Sequence, residues 1–96
     1  MNRFFESQGK LWATAANRRE ARIDPPSLDP RVALELLELA RVAAHSQERR
    51  FAPLSCFMAG VAAERLRAAK PEIDDIAVAA YIQEVRKELE VEAPRG

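Results

Sequence analysis

An all-α domain of four helices is what this sequence predicts, and three observations predict it. Prolines at positions 25, 26, 30, 53 and 71 cut the chain into four stretches, because proline disfavours helical geometry in the residue before it. Within each stretch large apolar residues recur at three- and four-residue steps, and nowhere do they alternate with the two-residue period of a strand. Residues 51–63 carry no charge, although 31% of the chain is charged. Such a run directly after the polar residues 45–50 marks a buried helix following a charged turn. Helices are expected near residues 3–22, 30–45, 53–69 and 74–90, in a compact bundle-like single domain over 1–96 with loose ends at 1–2 and 92–96.

The first helix places Phe4, Phe5, Leu11, Trp12, Ala15 and Ala16 at heptad-like spacing. Gly9 is expected to weaken it by about 1 kcal/mol relative to alanine. The stretch Asp24-Pro25-Pro26-Ser27 ends it. The second helix opens with Asp29 as N-cap and Pro30 at the first helical position. Arg31, Glu35, Glu38 and Arg41 form a narrow stripe expected to face solvent, and most of the remaining side chains are aliphatic. A helix so apolar needs cover on more than one side.

The third helix, opened by Pro53, carries Leu54, Phe57, Met58, Val61 and Leu66, with Ala59, Gly60, Ala62 and Ala63 small enough for another backbone to approach. Its charges return only at the end, where Arg65, Arg67 and Lys70 suit the negative pole of the helix dipole. The fourth begins after Asp74, an N-cap, with Ile73 and Val78 placed for a hydrophobic staple. Val78, Ile82, Val85 and Leu89 then form a bundle seam. Leu37, Phe57 and Met58 of the middle pair are therefore expected to be sheathed by the outer helices or by a second subunit.

Composition excludes several function classes. A chain of 96 residues supports one core. Its net charge of zero lacks the basic excess of a nucleic-acid binder, and Arg18-Arg19-Glu20-Ala21-Arg22 reads as a solvated helix end. The single cysteine, Cys56, lies in the apolar run and has no disulfide partner; a buried, inert thiol in a reducing compartment is expected. There is no signal-peptide pattern, and no apolar run reaches the ~20 residues that span a bilayer. A cytoplasmic location away from membranes is the expectation.

No glycine-rich phosphate loop, paired-carboxylate motif or metal-ligand spacing is present, so no catalytic residue, metal or cofactor is assigned. Charge is nevertheless uneven. Residues 1–23 carry about +3 and residues 71–92 about −5, so opposite ends attract, within one molecule or between two.

Two groups of residues are candidate sites. His45, Arg49 and Arg50 gather before Pro53, where free N–H groups of a helix start, with guanidinium groups alongside, would hold a phosphate or carboxylate. The simpler alternative is that His45 caps its own helix while the arginines pair with Glu48 or stay in water. Phe4, Phe5 and Trp12 are candidate interface anchors, since aromatic residues dominate binding surfaces, although their helical spacing equally suits a core.

One pattern is familiar. Leu36-Leu37-x-Leu39-Ala40-Arg41-x-x-Ala44-His45, then Arg49 or Arg50, then Ala52-Pro53-Leu54-x-x-Phe57-x-Ala59-Gly60-x-Ala62 resembles a small bacterial domain of unknown function. That domain occurs alone or appended to molybdopterin-guanine dinucleotide biosynthesis protein A. The resemblance implies a link to molybdenum-cofactor assembly and treats His45, Arg49, Arg50 and Pro53 as a unit. It implies no transferase activity, because the glycine-rich nucleotide signature of that enzyme is absent here.

The expected function is a non-enzymatic helical interaction or accessory module, a homo-oligomer or the partner of another protein, linked to molybdenum-cofactor assembly. The alternative is a module binding a small anion or phosphorylated ligand at the turn between the second and third helices.

Overall fold

The computed structural model describes residues 3–92; of the expected loose ends at 1–2 and 92–96, residues 1–2 and 93–96 lie outside the described residues, whereas Glu92 is the last residue of a helix. Four helices follow in order: α1 (Arg3–Arg18), α2 (Pro30–Ser46), α3 (Phe51–Ala69) and α4 (Asp75–Glu92). No strand occurs among the described residues, and the all-α class stands. No helix there is long and apolar enough to cross a membrane. Residues 1–30 and 31–96 form two compact units.

In the first unit, α1 stops four residues earlier than its expected end at 22, and the backbone shows why. Glu20 adopts a left-handed φ of 60°. The Glu20 N–H donates to the Asn17 carbonyl at 3.0 Å and the Ala21 N–H to the Ala16 carbonyl at 3.0 Å. This is a Schellman closure with glutamate where glycine is usual. Arg19 adds a side-chain bond to the Ala15 carbonyl at 3.0 Å, satisfying one more acceptor of the last turn.

The chain then returns along α1. Gly9 is buried, and a β-carbon there would collide with the carbonyl oxygen of Pro26 and meet the Pro25 ring at 3.8 Å. The expected weak point of α1 is thus where the Pro25-Pro26 loop docks, and only glycine leaves room for it.

In the second unit, α2, α3 and α4 surround one core. Leu39, Ala63, Val78 and Ile82 form its buried centre, with Val32, Leu36, Ala59 and Ile73 packed against it. The backbones of α3 and α4 approach within 8 Å, as the small residues Ala59 and Ala63 permit. The start of α4 is built as the sequence indicates. The Ala77 N–H donates to Asp74 Oδ1 at 2.9 Å, and Ile73 packs beside Val78 as the staple requires. Arg67 in the last turns of α3 pairs with Asp75 at the start of α4, which pins the connection.

Two expectations need correction. Glu35 does not face solvent with Arg31, Glu38 and Arg41. Its side chain is 18% exposed and its carboxylate accepts a bond at 3.1 Å from Arg86 of α4, itself 14% exposed. The reason is register, since Glu35 lies one turn before the buried Leu39 and faces the same neighbour.

The second correction concerns cover. Leu37 is 66% exposed, Phe57 73% and Met58 72%, so the helices of the second unit do not sheathe them. In the lower half of the α4 seam, Val85 and Leu89 are also partly open, while Val78 and Ile82 are buried. Three helices meeting along one line bury only the facing side of each, and α3 is apolar on more sides than it has neighbours.

Gly9 and Gly60 respond oppositely to alanine. Gly60 is exposed and a β-carbon there meets nothing within 4 Å, so Gly60→Ala is expected to raise stability by about 0.5–1 kcal/mol in urea denaturation. Gly9→Ala should instead lower the hydrogen-exchange protection of the α1 amides, because the collision with Pro26 outweighs the gain in helix propensity.

Candidate functional site

The turn joining α2 to α3 brings His45, Arg49, Arg50 and Pro53 into nine residues of chain. His45 is exposed. Ser46, one residue on, bonds back to its own helix, its Oγ donating to the Val42 carbonyl at 2.6 Å. Arg49 is exposed, and Arg50 pairs loosely with Glu48 at 3.4 Å across a solvated surface.

Helix α3 also starts two residues before Pro53. Arg50 is its N-cap in α-helical geometry with no side-chain capping bond. The Phe51 N–H already donates to the Glu48 carbonyl at 2.9 Å and the Ala52 N–H to the Arg49 carbonyl at 3.2 Å. Pro53, third in the helix, has no N–H to offer. The N–H groups at this helix start are thus largely spent or missing.

Cys56 is half-buried, and its thiol donates to the Leu36 carbonyl of α2 at 3.6 Å. Burial pushes its pKa upward, which suppresses the thiolate that nucleophilic chemistry requires. No group of three His, Cys, Asp or Glu among the described residues is placed to hold a metal ion.

The first unit presents Phe4, Phe5 and Trp12 differently. Phe4 and Phe5 meet edge to face with centroids 5.1 Å apart. The Trp12 Nε1–H donates to Gln8 Oε1 at 3.2 Å. Phe4, Leu11 and Trp12 are each more than half exposed, whereas Phe5 is half-buried.

The feature that sequence reading missed is a groove between α3 and α4. A hollow of about 370 Å³ is lined by Met58, Tyr81, Val85 and Leu89, among others, above the core residues Leu39 and Ile82. Met58 and Tyr81 also line a second hollow with Phe57, Val61 and Arg65. Phe57, Val61 and Arg65 in turn line a third, along the outer side of α3 with Gly60. The three form one apolar strip running over α3. Its signal in the sequence is the absence of any polar face on residues 51–63, with Tyr81 one turn after Val78 beside the seam.

A polar clamp stands on the other side of α4. Arg86 donates to Glu35 at 3.1 Å and to Glu90 at 2.8 Å, and Gln83 Nε2 reaches the second oxygen of Glu35 at 3.3 Å. The bonds to Glu90 and Glu35 raise the Arg86 pKa, so it stays charged throughout the range in which proteins fold.

The model of a domain of unknown function, DUF6457, matches residues 6–95. The chain belongs to this family. No curated protein and no solved structure matches the chain. The DUF6457 match extends well beyond the stretch 36–62 on which the resemblance rested, and it takes in most of α1 and all of α2, α3 and α4.

Arg86→Met keeps the aliphatic stem but leaves Glu35 without its cation, and is expected to lower stability by about 1–3 kcal/mol in urea denaturation. The Cys56 thiol should react with iodoacetamide more slowly than free cysteine at pH 8, as timed by mass spectrometry. Because its folded pKa is raised, the thiol's contribution to stability is present below the unfolded pKa and is lost as pH rises above it.

Proposed function

We propose that this DUF6457 chain is a non-enzymatic helical interaction module. In this reading it is oligomeric, acts in the cytoplasm and is accessory to molybdenum-cofactor assembly. The observation that carries the reading is the strip over α3, where Phe57 and Met58 stand open beside Val61, Val85 and Leu89. Apolar side chains gathered in this way mark a surface that another protein covers. The aromatic and methionine groups it offers are those enriched at interface centres. The cofactor link rests on the resemblance alone.

Size-exclusion chromatography with light scattering is expected to give a dimer at high micromolar concentration. Phe57→Asp should shift it towards monomer while changing monomer stability by no more than about 0.5 kcal/mol, since Phe57 is a surface residue. A wild-type chain that is strictly monomeric overturns the oligomeric reading. Titration calorimetry against molybdopterin-guanine dinucleotide biosynthesis protein A tests the cofactor link: micromolar binding supports it, and absence of heat at several temperatures overturns it.

A further inference from the structure

Each of the two units leaves an apolar surface that its own residues do not cover, and the charges around the two are opposite. On α1, Phe4, Leu11 and Trp12 recur at seven- and eight-residue steps and so share about 100° of arc, and each is more than half exposed. Gly9, on another face of the same helix, is buried under Pro25 and Pro26. The α1 unit thus covers one side with its own loop and leaves the aromatic stripe bare. Arg3 and Arg18 flank that stripe, are exposed, and form no ion pair with a described residue.

The second surface is the groove between α3 and α4, lined by Met58, Tyr81, Val85 and Leu89. Glu84 and Glu88 lie three and seven residues after Tyr81 and so share its side of α4. Both are exposed and form no ion pair with a described residue. Arg65 stands on the α3 side of the adjoining hollow. Beyond these two acids, residues 71–92 as a whole are strongly acidic, while residues 1–23 are basic.

From this complementarity we propose that the groove's occupant is α1 of a second copy of the chain, docked through Phe4, Leu11 and Trp12. The inference rests on the interaction-module reading and deepens it by naming the partner and the surface. An amphipathic helix laid into an apolar groove is read by anchors on one face. The 16 residues of α1 extend about 24 Å, and the strip from residue 55 to residue 69 on α3 extends about 21 Å. In the proposed dimer each copy gives its α1 to the groove of the other, so both grooves are filled.

Charge reversal tests this without touching the core. One variant carries Arg3→Glu and Arg18→Glu, the other Glu84→Lys and Glu88→Lys. Each alone should raise the dimer dissociation constant by at least about tenfold, since like charges then meet at both docking sites. Mixed in equal amounts, the two should form a heterodimer with near wild-type affinity, because both docking sites regain opposite charges. Sedimentation equilibrium with one partner fluorescently labelled reads all three samples, and circular dichroism checks that each variant is helical.

If each variant dissociates but the mixture stays monomeric, Arg3 and Arg18 do not face Glu84 and Glu88 across the contact and the proposal fails. If both variants remain dimeric while Phe57→Asp dissociates the wild-type contact, α1 docking fails and the interaction-module reading survives. A wild-type chain that is monomeric at high micromolar concentration sinks docking between copies and the oligomeric reading together.

Discussion

A helix that is apolar on every side must be covered on every side, and α3 is such a helix for its first thirteen residues. The rest of the unit is arranged around that demand. α4 takes one side of α3, with Ala59 and Ala63 letting the two backbones close. α2 takes another, where the Cys56 thiol reaches the Leu36 carbonyl. A third side, with Phe57 and Met58, has no helix of the second unit upon it. Leaving that surface in water forgoes on the order of 25 cal/mol per Å² of apolar area, which is the driving force available to whatever covers it.

The polar groups follow from the same arrangement. Glu35 and Arg86 face each other across α2 and α4 because Leu39 and Ile82 bring those helices together one turn away. Neither charge is left alone. Arg86 spends two of its nitrogens on two carboxylates, and Glu35 accepts from both Arg86 and Gln83. A single unpaired charge at that depth would cost more than the pair gains, so the clamp serves to hold register between the helices.

How much of this was legible beforehand varies by residue. Asp74, Ile73 and Val78 at the start of α4 were readable because capping and stapling are local: the interacting groups lie within five residues of one another. The end of α1 was not readable in the same way. A left-handed glutamate at position 20 leaves no compositional mark, and a glycine was the mark to look for. Gly9 was seen but its role was inverted, because the Pro26 carbonyl that approaches it lies seventeen residues on. The candidate turn at residues 45–53 looked like a site because its charges are neighbours in sequence. In space His45, Arg49, Arg50 and Pro53 are all exposed.

Local chemistry alone was therefore enough to determine the number of helices, their class and most of their boundaries, since caps, prolines and three-to-four periodicity act over a single turn. Tertiary structure decided which apolar faces are paired. Leu39 and Leu37 are the same residue type two positions apart on one helix, yet one is in the core and the other stands open. Burial depends on how many neighbours a helix has and on which sides, and that is a property of the assembled unit rather than of any one segment.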